Sequence, residues 1–126
     1  MSYEELFEHF ESNITAVQTC GRVQLGNDWG QFRLIQAHIY GSTMLFVDIV
    51  LHTREDPYWR ILRGFTFDEF NNDHLDQHLA ELSCVGTEAN KIIVTGRVTP
   101  YERDEHGFRL DVDGLSGDYS YIERLF

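Results

Sequence analysis

Residues 44–53 constrain this chain more than any other stretch. Leu45, Val47, Ile49 and Leu51 fall at every second position. Met44, Phe46 and Val50 fill positions between them, together with Asp48 and His52. A period of two marks a strand. A strand apolar on both faces is central and covered on both sides. The chain has 126 residues, enough for one core and too few for two ordinary domains. The reading is therefore a single domain, 1–126.

Other segments carry the same period. Thr15, Val17, Thr19, Val23 and Leu25 alternate with polar residues, and Gly21 marks a bulge or a break. Gly26 to Gly30 is turn chemistry around Trp29, and Phe32 to Tyr40 reads as the next strand. Tyr58–Phe67, Lys91–Thr99, Phe108–Val112 and Tyr119–Leu125 complete a set of six to seven strands.

Two segments read as helices. Tyr3, Leu6, Phe7, Phe10 and Ile14 form one stripe, and Ser2 with Glu5 has capping-box spacing. Phe67, Phe70, His74, Leu75, His78, Leu79 and Leu82 follow helical spacing, and Gly86 could end that helix. The sequence thus predicts an N-terminal helix and a second helix near 67–84, centred on Asp73–Ser83. The expected class is α+β, with a largely antiparallel, strongly curved sheet or sandwich.

The net charge is -11, from 21 acidic and 10 basic residues. The bases are nine Arg and Lys91, spread along the chain, so no cluster exists for gripping phosphates. Direct nucleic-acid binding and attachment to an anionic membrane are both disfavoured. An acidic protein attracts basic surfaces. Asp68, Glu69, Asp73, Asp76 and Glu81 follow one another with no Lys or Arg between them, which marks the strongest candidate for a focused patch. No apolar run reaches the ~18 residues of a membrane span, and the acidic start lacks the pattern of a signal peptide. The expected compartment is the cytoplasm. Cys20 and Cys84 could form at most one bridge, and in a reducing compartment they read instead as small buried or half-buried hydrophobes.

Candidate chemistry is sparse. His74 and His78 would share a helix face and could chelate a metal with Asp73 or Asp76. The alternative is two boundary histidines, and the metalloprotease pattern fails because Leu75 stands where Glu is needed. Asp111, Asp113 and Asp118 offer closely spaced oxygens, or simply a solvated strand ending in a turn. Cys84 near His78 lacks a basic neighbour to activate it. No nucleophile elbow, phosphate loop or dinucleotide fingerprint occurs. No catalytic residue and no cofactor are assigned.

Three functions are carried forward. The first is an acidic inhibitor that neutralises a basic protein partner such as a toxin or nuclease, in the manner of toxin-immunity proteins and nuclease inhibitors. Its contact surface would be Asp68, Glu69, Asp73, Asp76 and Glu81, with Tyr58 and Trp59 as aromatic anchors. The second is a small enzyme or ligand-binding domain with an aromatic-lined pocket. The third is a structural or assembly protein pairing through Tyr119–Phe126, so that the chain is a monomer or homodimer. The first is the expectation adopted.

Overall fold

The computed structural model describes residues 14–39, 42–55, 58–70, 77–87, 90–100 and 104–124. Strands β1 (Ile14–Leu25), β2 (Asp28–Ile39), β3 (Ser42–His52) and β4 (Trp59–Thr66) form one antiparallel sheet. Strands β5 (Gln77–Thr87), β6 (Lys91–Pro100), β7 (His106–Asp113) and β8 (Tyr119–Arg124) form a second. Each sheet is a meander in chain order, so every neighbour is the next strand along the sequence.

The α+β expectation is corrected to all-β for the described residues, which contain no α-helix. The expected N-terminal helix lies outside them. The expected helix over Asp73–Ser83 is overturned directly, because Gln77 to Ser83 belong to β5. The cause is a bulge. The β5–β6 register shifts between Ala80 and Ser83, and Glu81 takes φ 54°. A bulge inserts one residue, so side chains three apart can point the same way. Leu79 and Leu82 do so: Leu79 is buried in the core and Leu82 packs against it. Their spacing of three imitates a helix. With β5 the described residues contain eight strands, against the expected six or seven.

Strand β3 follows the sequence closely. Leu45, Val47, Ile49 and Leu51 join Phe32 and Leu34 of β2 in the core between the sheets. Ile92, Val94, Phe108, Leu110 and Val112 meet them from the second sheet. Met44 and Phe46 point the opposite way and form a second buried cluster with Ile35 and Ala37. Asp48 shares that outer face, fully buried, and its Oδ1 accepts a 2.8 Å hydrogen bond from Arg33 Nε. Burying each large apolar side chain contributes roughly 1.5–3 kcal/mol.

The sheets meet along β1 and β5. Cys20 and Cys84 form a disulfide there, with Cα atoms 5.0 Å apart. The bridge corrects the reading of two separate thiols in a reducing compartment, while Cys20 is buried and Cys84 half-buried as expected. Gln18 Nε2 donates to Leu82 O at 2.9 Å on one side of the bridge. On the other side, Asn90 Oδ1 accepts from Gln24 N at 3.2 Å. The approach is close enough to require glycine. A Cβ on Gly21, whose φ is +134°, would stand 2.9 Å from Gly86 Cα, and a Cβ on Gly86 would stand 2.8 Å from Cys20 O. The register of β1 on β2 shifts between Thr19 and Gly21, so Gly21 does mark a bulge.

Candidate interaction surface

Strand β4 is an edge of its sheet, with β3 on one side and no hydrogen-bonded neighbour on the other among the described residues. Its N-terminal half is open. Tyr58 is 60% exposed, Trp59 47%, Ile61 42% and Leu62 44%. These four make up half of the large hydrophobic residues that stand exposed among the described residues. Among the described residues no comparable run occurs elsewhere: Val17, Val85 and Ile122 stand singly on their strands and Leu115 in the turn after β7.

The register explains which way these side chains point. Trp59 lies opposite His52 and Ile61 opposite Val50, so both share the outer face of β3. His52 in turn lies opposite Trp29, which puts three rings in a row across β2, β3 and β4. Trp29 and His52 stack at 5.0 Å. Trp59 meets them edge-on, at 5.5 Å from Trp29 and 4.9 Å from His52. The Arg22 guanidinium stands 5.0 Å over the Trp29 ring. Ring contacts of this kind hold Trp59 in place while leaving about half of it in solvent.

Arginines flank the apolar row. The register shifts between Ile49 and Val50, leaving Leu62 as the extra residue on β4. Arg60 lies opposite Leu51 and Arg63 opposite Ile49, so both take the other face from Trp59 and Ile61. Arg60 is exposed. Arg63 is half-buried over the Phe65 ring, and its Nε is buried with no hydrogen-bond acceptor.

The expected acidic surface is divided. Asp68 and Glu69 follow the C-terminal end of β4, whereas Tyr58 and Trp59 stand at its start. At ~3.3 Å per strand residue the two groups lie roughly 25 Å apart. Asp68 is exposed, and Glu69 is half-buried and accepts a 2.8 Å hydrogen bond from Tyr119 Oη. Burial and then Glu69 itself push the Tyr119 phenol above its usual range. Glu81 belongs to the other sheet, where it pairs with Arg97 Nε at 2.9 Å. Asp73, His74 and Asp76 lie outside the described residues. His78 sits on a strand and stacks on His38 at 6.0 Å, so its expected place on a helix face is not realised.

The acidic C-terminal region serves a turn. Asp113 Oδ1 accepts hydrogen bonds from Leu115 N at 2.9 Å and Ser116 N at 3.2 Å. These donors hold its carboxyl below the ordinary carboxylate range. Among the described residues no group of three or more His, Cys, Asp or Glu could hold a metal. A cleft of about 450 Å³ lies over β6 and β7, with Lys91, Ile93, Arg109, Asp111 and Asp118 in its lining. No histidine lines it, and Tyr119 supplies the one aromatic ring.

The sequence names Tyr58 and Trp59 as anchors but does not join them to Arg22, Trp29 and His52. Turn chemistry at Gly26–Gly30 drew Trp29 into a turn, whereas it lies in β2. Only strand register could have joined the three rings. No helix among the described residues is long and apolar enough to cross a membrane. No family profile, curated protein or solved structure matches the chain.

Proposed function

We propose that this chain is a protein-binding module of the inhibitor kind, which captures a basic protein partner and uses Trp59 and Tyr58 as anchors. The observation that carries this reading is the exposed apolar row Tyr58, Trp59, Ile61 and Leu62 on an open sheet edge. Contiguous apolar surface of this kind marks interaction sites, and aromatic residues dominate binding energy at them. A standard interface covers about 800 Å² per partner, a patch roughly 30 Å across. One partner lying along β4 can therefore reach both Trp59 and the acidic pair Asp68–Glu69. The net charge of -11 would speed capture of a basic partner.

The compartment reading changes with the disulfide. Bridges persist in oxidising surroundings and are rare in the cytoplasm of mesophiles. The Cys20–Cys84 bond therefore supports an oxidising compartment over the cytoplasmic one that composition suggests.

The test is a pull-down from the native organism under oxidising conditions, with a salt series and three baits: wild type, Trp59→Ala, and Asp68→Lys/Glu69→Lys. The expected result is one stoichiometric basic protein, lost progressively as salt rises. Capture should fall at least about tenfold with Trp59→Ala, the scale of one hot spot. No partner at any salt, or a partner held equally by Trp59→Ala, overturns the reading.

A further inference from the structure

We infer that the open edge of β4 accepts an extended segment of the partner as an added strand, with apolar side chains beside Trp59 and Ile61 and carboxylates beside Arg60 and Arg63. This rests on the protein-binding reading and specifies the chemistry of its contact.

An edge strand offers unpaired backbone donors and acceptors, and an added strand satisfies them. Of the four outermost strands, β4 is the one suited to this. The outer side of β1 is occupied by the seam with β5, including the disulfide. The seam takes up β5 as well. Strand β8 has six residues, and of its large hydrophobics only Ile122 is exposed. The opening half of β4 carries exposed apolar groups on residues 59, 61 and 62.

Side chains on adjacent strands interact in pairs on each face. The bulge at Leu62 sends Arg60 and Arg63 to the same face even though they are three apart. Arg60 is exposed and Arg63 half-buried, so a partner carboxylate can meet the Arg60 guanidinium directly with Arg63 adding positive charge beside it. Edge strands that avoid indiscriminate pairing carry charges and bulges. Here both devices are present, and they select rather than forbid: a basic strand is repelled by the two arginines and an acidic one is attracted. The complement is an extended segment alternating apolar and acidic residues. A partner that is basic overall and carries one such segment fits both the long-range field and the local contact.

The probe is a capped eight-residue peptide alternating Val and Glu. Two controls replace Glu by Lys, or methylate the backbone nitrogens along one edge. Each is titrated into the full oxidised chain and followed by tryptophan fluorescence and by amide hydrogen exchange. The Val–Glu peptide should bind and protect amides within 59–62. The Lys peptide should bind at least about tenfold more weakly, and the methylated peptide should not bind. Arg60→Glu/Arg63→Glu should reverse the preference. Failure of the Val–Glu peptide to bind, equal binding of the Glu and Lys peptides, or binding without protection at 59–62 overturns strand addition. The protein-binding reading fails separately: a partner that is lost with Trp59→Ala but kept by Arg60→Glu/Arg63→Glu preserves that reading and overturns strand addition.

Discussion

Tyr119 of the second sheet donates a hydrogen bond to Glu69, just past the end of the first, at 2.8 Å between Oη and Oε2. Its oxygen also accepts from Asp68 N at 3.2 Å. One phenol thus fastens the exit of β4 to the start of β8. It also holds two residues of the acidic run, Glu69 by its carboxylate and Asp68 by its backbone N–H.

Removing that phenol oxygen should loosen the exit of β4. Tyr119→Phe keeps the ring that packs edge-on against Phe67 at 5.0 Å and deletes only the hydrogen bonds. A bond to a charged acceptor is worth about 1.5–3 kcal/mol, and the partial exposure of Glu69 reduces this to about 1 kcal/mol. The sign at alkaline pH follows from the raised pKa. Both states hold the neutral phenol below pH 10, the ordinary value for tyrosine. Above it the unfolded chain ionises first, so stability is lost as pH rises through the folded-state value. Urea melts at pH 7 and 11 check both parts. A Tyr119→Phe variant as stable as wild type at pH 7, or with the same alkaline loss, would contradict them.

The disulfide should be present in the purified chain and should carry a large share of its stability. It closes a sequence separation of 64 residues. Chain-entropy arguments assign a loop of that length about 4 kcal/mol. Thiol titration of the denatured, unreduced protein should find no reactive cysteine. Cys20→Ser/Cys84→Ser should lower the unfolding free energy by about 4 kcal/mol. Two titratable thiols in protein purified without reductant would show that the bond does not form.

Gly21 and Gly86 should tolerate no side chain. Neither flank of the crossing can move aside, since the obstructing atoms are Gly86 Cα and Cys20 O rather than flexible side-chain ends. Gly86→Ala should destabilise by about 1–3 kcal/mol, the range for overpacking. Gly21→Ala should cost more, because φ +134° adds backbone strain. Gly26→Ala is the comparison: its φ is +60°, but no atom lies within 4 Å of the added carbon. Thermal melts of the three variants should rank Gly26→Ala as the mildest. Any other ranking would contradict the close crossing.

What the sequence discloses here is local, and what it hides depends on register. Strand β3 was readable on both faces because alternation is a property of consecutive residues. The second helix was misread because the bulge at Ala80–Ser83 converts alternation into a spacing of three. Cys20 and Cys84 could not be paired by spacing, since their contact depends on how two sheets cross. The acidic run is uninterrupted by Lys or Arg in sequence, yet the residues described fall at the end of β4 and on β5. The Trp29–His52–Trp59 row was hidden for the same reason: its members are 23 and 7 positions apart and meet only through the pairing of three strands.

The ion pair on the outer face of β3 should behave as a buried pair despite its position near a sheet surface. Arg33 and Asp48 are direct cross-strand partners, and Asp48 is fully buried beside Phe46 while Arg33 keeps 28% of its side chain exposed. Asp48→Ala removes the carboxylate that accepts from Arg33 Nε. Breaking such a pair from one side costs roughly 3–5 kcal/mol, and the exposure of Arg33 points to the low end, about 3 kcal/mol. Replacing both members with apolar residues of similar volume, Arg33→Met/Asp48→Leu, removes the two desolvation costs together. That double variant should lie within about 1 kcal/mol of wild type, or above it. A double-mutant cycle in urea measures the difference. If Asp48→Ala is nearly neutral, the carboxylate is not held in an apolar setting. If the double variant is as damaged as the single, the outer face of β3 depends on the charge pair itself rather than on filling its volume.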